Sequence, residues 1–361
     1  MTLSRFPQDP HLQIQDGQLL LQGIGGLAFV ALLMVGIWNL TERLPPAWDE
    51  AQHLLMAQDF GTHLSRYSGD QEWWRVWSHL SQRYPPLTYW LSLGWGTGFD
   101  RSAAQLLNLG LLGVLVAGTY KLGSLVHSRA VGLLAGGLLL LYPAVQGLAH
   151  VYMLDLPLTA MVVLAYWGSF GFLMRPSWRG ALGLGLALGL VLLTKWNGIL
   201  FLVVPLLWIW GHKSRWGGLQ KLLILLTAGL VCWPWYGPNW LFVISNGLQY
   251  GATTHYYVQC PAGSWCWWTT YLRWWPLQMS PVLCGLPMLV IWQWVQSRQP
   301  AAEQPDRPQP PLPLPEGSLR WLVLTLVGGY VLYTLIGIKD PRFTVRCCRC
   351  WPCCQRWGFG R

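Results

Sequence analysis

Residues 19–50 read LLLQGIGGLAFVALLMVGIWNL followed by TERLPPAWDE. A helix that crosses a bilayer needs about 20 predominantly apolar residues, and the stretch 19–40 has that length without a single charge. Just beyond it come Pro45, Pro46 and the adjacent carboxylates Asp49 and Glu50. The chain therefore leaves the apolar phase and at once presents a pair of acids, a costly placement that marks functional groups. Residues 1–18 are polar and lack a cleavage site, so 19–40 reads as a retained anchor behind a short cytoplasmic segment.

The rest of the chain repeats this pattern. Of 361 residues 53% are hydrophobic, 11% are charged and 26 are Trp, which excludes an ordinary soluble domain. Apolar runs recur near 19–40, 103–120, 130–147, 156–174, 180–194, 198–211, 219–237, 275–295 and 319–337. The expectation is an all-α, polytopic integral membrane protein of about nine spans, with 180–194 and 198–211 short enough to form one kinked hairpin. A net charge of +10 does not imply nucleic acid, because the basic residues sit in short loops between the runs. If the N-terminus is cytoplasmic, Lys121, Arg129, Arg175, Arg179, Lys213, Arg215, Lys221, Arg298, Arg307 and Arg320 all return to that side. Asp49, Glu50, Asp155, Lys195, a loop over 241–274 and the cluster Lys339, Asp340, Arg342 then share the opposite side.

That parity requires the stretch from Pro85 to Trp95 to lie in the interface as a surface or re-entrant segment, within an external loop of about 41–102. A transmembrane domain thus covers 19–295. Residues 296–318 carry seven prolines and read as an extended cytoplasmic linker, followed by a late span in 319–344.

Five motifs in order carry a family resemblance: Trp48-Asp49-Glu50-Ala51, Tyr84-Pro85-Pro86-Leu87-Thr88-Tyr89-Trp90, Leu154-Asp155-Leu156-Pro157-Leu158, Leu193-Thr194-Lys195-Trp196-Asn197-Gly198 and Lys339-Asp340-Pro341-Arg342-Phe343. The chain resembles the membrane-embedded glycosyltransferases of the protein O-mannosyltransferase and aminoarabinose transferase type. The resemblance implies a GT-C helix bundle with an external catalytic loop. It also implies a polyprenyl-phosphate sugar donor and hexosyl or pentosyl transfer, mannosyltransferase-like, to a lipid, glycan or protein acceptor. In a bacterium the site would be the plasma (inner) membrane.

The chemistry explains the residue types. Attack by an acceptor hydroxyl needs a carboxylate to take its proton, the role the resemblance assigns to Asp49. Departure of a lipid phosphate develops negative charge that Arg342, Lys195 or Lys339 would stabilise. Glu50 and Asp155 would bind a divalent cation, orient the acceptor or hold the basic groups in place. Each residue also has a plainer reading. Asp49 and Asp155 suit helix starts, Lys195 suits snorkelling, and Arg342 suits an interfacial anchor. His53 shares a helix face with Glu50, and with His255 would supply ligand types for a metal, although no close ligand spacing supports one. The Trp clusters at 73–77, 265–268 and 274–275 suit either sugar stacking or interfacial anchoring.

Cys260 and Cys266 in the external loop are placed to pair in an oxidising compartment. The stretch 345–361 holds five of the nine cysteines in a spacing poorly suited to zinc. It reads as a frameshifted tail, because Leu-Pro codons in GC-rich DNA read one base late give Cys and Arg; a metal-binding tail is the alternative. Two other functions stay open: a multi-pass transporter or flippase, although no internal repeat supports one, and an inactive truncated homologue.

Overall fold

The computed structural model describes residues 10–42, 45–46, 48–66, 77–81, 83–211, 218–252, 260–285 and 317–335. Lys339, Arg342, His255, Trp73, Trp74, the Pro-rich stretch up to 316 and the tail 345–361 lie outside them. Among the described residues every regular element is a helix, with no strand. Helices satisfy every internal backbone group within the segment, which an apolar phase demands.

Helix α1 covers Pro10–Thr41 and α2 Trp48–Ser65. The Pro-Pro-Leu segment folds into α3, Leu87–Leu91, and a 3-10 segment, Ser92–Gly98. Both are far too short to cross a bilayer. This pair packs on α2, and a Cβ on Gly61 would fall 2.2 Å from the Gly96 carbonyl oxygen, so only glycine permits the approach. Helix α4 is Arg101–Val126, α5 Arg129–Leu140, α6 Pro143–His150, α7 Asp155–Met174 and α8 Trp178–Thr194. A 3-10 turn, Trp196–Gly198, leads to α9, Ile199–Gly211. Then come α10, Gly218–Ala252, α11, Trp265–Met279, and α12, Ser318–Leu335. Side chains of Asp100, Ser128, Ser177 and Ser264 cap α4, α5, α8 and α11 by accepting from first-turn N–H groups.

Four described helices are long and apolar enough to span a membrane: α4, α7, α12 and the 218–249 part of α10. The expected run 130–147 is not one straight helix. It breaks between α5 and α6 with a bend of 62°, because Pro143 lacks an N–H and pushes Tyr142 into extended backbone. Counted together, that pair makes a fifth span. The loop expected from residue 241 starts later, since α10 runs on to Ala252; backbone hydrogen bonding continues after apolarity has faded. Nor is 275–295 one helix. Helix α11 starts earlier and ends before Ser280, whose φ is 66° and which precedes Pro281.

The short runs 180–194 and 198–211, for which a kinked hairpin is the alternative to two spans, pack chiefly on other helices. Helix α8 lies chiefly on α10 and α7, whereas α9 lies on α12 and α7. The α8–α10 contact uses Gly185 and Gly189, spaced one helical turn apart. A Cβ on either would stand 2.6 Å from Ile224, Thr227 or Val231 atoms. Small residues at this spacing let membrane helices approach backbone to backbone.

The bundle thereby acquires two distinct ends. At one, the C-terminal parts of α4, α7 and α9 meet the start of α12 through Val126, Phe170, Trp208 and Trp321. At the other, the starts of α4, α7 and α9 meet the ends of α1, α6, α8 and α12.

Candidate functional site

The second end is organised around residues 150–155, the irregular corner between α6 and α7. His150, Tyr152, Met153, Leu154 and Asp155 are buried, and five different segments hold the corner through polar contacts. Asn39 of α1 accepts from His150 Nδ1 at 2.7 Å. Asn108 of α4 donates to the Val151 carbonyl at 2.9 Å. The Tyr152 N–H donates to Glu50 Oε1 of α2 at 3.3 Å, and the Tyr152 hydroxyl donates to the Thr88 carbonyl of α3 at 3.2 Å. Lys195 Nζ, in the turn after α8, lies 2.9 Å from Asp155 Oδ1.

Glu50 is almost wholly enclosed, at 2% exposure, and Arg101 Nε at the start of α4 stands 3.7 Å from its carboxylate. Only the corner residues separate the Tyr152 N–H that it binds from Asp155, a reach of at most about 10 Å. Two of the three expected acids thus bear on the same corner, Glu50 through the Tyr152 amide and Asp155 as its last residue. Asp49 sits next to Glu50 in the first turn of α2, partly exposed, where the positive end of the helix dipole favours a carboxylate. Trp48, which precedes it, is exposed and holds φ at 37°, a left-handed backbone unusual for a bulky side chain.

The capping alternative for Asp155 does not hold. Asp155 begins α7, but no side chain caps that helix, and the carboxylate pairs with Lys195 instead. Lys195 accordingly does not snorkel; its side chain is 14% exposed and turned onto the acid. Helix α12 reaches the same place from the far side of the chain. The Tyr333 hydroxyl donates to the Asn197 carbonyl at 3.3 Å, two residues past Lys195, and its ring lies 4.4 Å from that of Phe201.

His53 is buried, with Nδ1 2.7 Å from the Tyr89 hydroxyl. Burial first, then the neighbouring Tyr152 and Tyr84 phenols, holds Tyr89 well above the ordinary tyrosine range. Burial raises the Tyr152 phenol as well. Both stay neutral hydrogen-bonding groups. Among the described residues no three His, Cys, Asp or Glu side chains group as metal ligands. Glu50 and His53 share one face of α2 and are directed to different partners. Trp77 stacks on Trp90 at 5.3 Å, while Trp265 is exposed and Trp267 buried. Cys260, ahead of α11, is joined by a disulfide to Cys266 in the first turn of that helix.

Sequence reading gave no role to Asn39, Asn108, His150, Tyr152 and Tyr333, and it placed Tyr89 and Arg101 in the external loop without assigning them one. A signal existed for Asn39, Asn108 and His150, polar residues within or at the edge of apolar runs. The tyrosines carry no such signal, being common at membrane interfaces.

No family model matches the sequence, and no curated protein matches it. Among solved structures, the chain is similar to the S. cerevisiae protein O-mannosyltransferase Pmt1-Pmt2 complex bound to the sugar donor, with 18% identity and a TM-score of 0.40. The match covers 62% of this chain and 34% of that one. This chain thus spans about a third of its neighbour's length, and a likeness of this degree assigns neither donor nor acceptor.

Proposed function

We propose that the chain is a GT-C-type membrane glycosyltransferase that moves a sugar from a polyprenyl phosphate to a lipid, glycan or protein acceptor on the non-cytoplasmic face. The observation that carries this reading is the convergence of Glu50, Asp155 and Lys195 on one buried corner at the end of the bundle where Asp49 emerges. The five motifs in order support the same assignment. Buried ions in a membrane bundle are expensive and mark function. Basic helix ends at the other pole, including Lys121, Arg129, Arg175, Arg179, Lys221 and Arg320, support a cytoplasmic placement of that pole.

In this mechanism the acceptor hydroxyl oxygen attacks the anomeric carbon, and its proton passes to the Asp49 carboxylate. The bond from that carbon to the phosphate oxygen breaks, and polyprenyl phosphate leaves with the electron pair. Lys195, with Arg342 and Lys339 assigned from sequence, stabilises the departing charge. Asp155 holds the Lys195 ammonium in place, and Glu50 holds the corner. A divalent cation would add to the phosphate charge balance; Glu50, His53 and His255 are ligand types for it, but Glu50 and His53 are turned to Tyr152 and Tyr89, so no step is routed through a metal.

The test is release of free polyprenyl phosphate from membranes given labelled lipid-linked sugars. Release that depends on acceptor and on Asp49 is expected. Movement of the substrate across the bilayer unchanged would replace the enzyme with a transporter.

A further inference from the structure

The His150 contact lies outside every motif that suggested an enzyme, and it joins the two chain segments on which the proposed site depends. The His150 ring is enclosed. Because Asn39 presents its oxygen, His150 Nδ1 carries the hydrogen and donates to Asn39 Oδ1 at 2.7 Å. Trp38 stacks on the same imidazole with centroids 4.3 Å apart and planes 28° from parallel. The indole Nε1 in turn donates to Glu42 Oε2 at 2.8 Å. One side chain is thus gripped at its edge and on its face by consecutive residues at the end of α1.

The position of this grip gives it a function. On the α1 side only residues 42–47 separate it from α2, which opens with Trp48, Asp49 and Glu50. On the other side only the corner 151–154 separates it from Asp155. Helix α6, which carries His150, is the short arm of the bent pair and is set at 62° to α5. It therefore cannot take its orientation from the straight continuation of a long span. A hydrogen bond with a fixed direction and a stacked face restrain both the position and the rotation of that arm, which dispersion contacts alone would leave freer.

We infer that His150, held by Asn39 and Trp38, is a positioning residue that sets the register between the acid pair after α1 and the Asp155–Lys195 pair, and so acts on turnover through them. The inference rests on the glycosyltransferase reading for its catalytic readout. Misplacing a catalytic group by about 1 Å costs up to about a hundredfold.

The experiment compares His150→Ala, His150→Phe, His150→Asn and Asn39→Ala in the full chain, measuring polyprenyl phosphate release per folded molecule. His150→Ala lowers kcat by about ten- to a hundredfold while donor KM stays within about twofold, since ground-state binding is untouched. His150→Phe keeps the stack, lacks the N–H donor and stays impaired. His150→Asn carries an amide N–H at the place of Nδ1, offers it to Asn39 and recovers part of the loss. Asn39→Ala reproduces the His150→Ala defect, and the double variant is no worse than either single one, as partners in one contact require. Wild-type turnover per folded molecule in His150→Ala, losses that multiply in the double variant, or no recovery in His150→Asn overturns the inference.

If the unmodified chain releases no polyprenyl phosphate from any donor, the glycosyltransferase reading fails separately. Amide exchange at Val151–Leu154 then decides whether the His150 contact holds the corner: about a tenfold or greater acceleration in His150→Ala, smaller in His150→Asn, supports it, and unchanged exchange overturns it.

Discussion

At one end of the bundle Val126, Phe170 and Trp321 are buried against Leu122, Leu173 and Trp208. At the other, the buried groups include Glu50, His53, Asn108, His150, Asp155, Thr194 and Asn197. Both ends join helices that arrive from distant parts of the chain, so either composition would have closed the fold. Apolar closure needs only complementary shape, whereas every enclosed charge loses hydration that a partner must offset. The end that keeps two carboxylates and an ammonium where aromatics would serve has its polar groups tethered one to another, and it is the end to which the proposed function assigns the chemistry.

The comparison breaks most easily at the ion pair. Lys195→Met leaves Asp155 enclosed without its cation and should cost about 3–5 kcal/mol of stability, read as a lower thermal transition in detergent, with donor release abolished. Adding Asp155→Leu should restore the transition but not the activity, because a matched apolar pair can replace a buried ion pair energetically and not chemically. Recovery of activity in that double variant would show the pair to be mere closure, no different from the aromatic end.

Trp321→Ala tests the other pole. It should cost about 3 kcal/mol through lost burial and a residual cavity, yet leave release per folded molecule unchanged. A large fall in specific activity without loss of stability would mean that the aromatic end also serves the reaction.

Asp49→Asn should lower turnover by about 10² or more while the amount of folded protein stays near normal, since size is preserved and basicity removed. Near-normal release eliminates Asp49 as the base and leaves the acid pair with a structural role only. The smallest effect expected is that of Arg342→Lys, which keeps charge and loses the forked donor: a partial defect if the side chain grips phosphate, and none if it is an interfacial anchor.

Much of this was legible in the linear pattern, for a physical reason. The cost of polar groups in an apolar phase is so large that apolar runs and the charges between them are strongly constrained. Asp49, Glu50, Asp155 and Lys195 therefore stood out individually. Less legible were the helix limits. Pro143 lies inside an apolar run whose length alone suggests a span, and only the local geometry of Tyr142 shows the break. Helix α10 outlasts its apolar stretch by continuing through Asn239, Asn246 and Gln249, because helical hydrogen bonding does not end where lipid does.

Hydropathy by itself determined that this chain is a helical membrane protein and that its acids and Lys195 lie at segment ends, because burial of apolar surface is a property of composition and spacing. Which of those groups meet was decided by tertiary structure alone. The Asp155–Lys195 pair, the Glu50 contact with the Tyr152 amide and the His150 grip on Asn39 all join residues far apart in sequence. Such contacts follow from how helices pack, at close approaches such as Gly185 and Gly189, and a direction-dependent hydrogen bond between distant segments leaves no periodic trace in the chain that makes it.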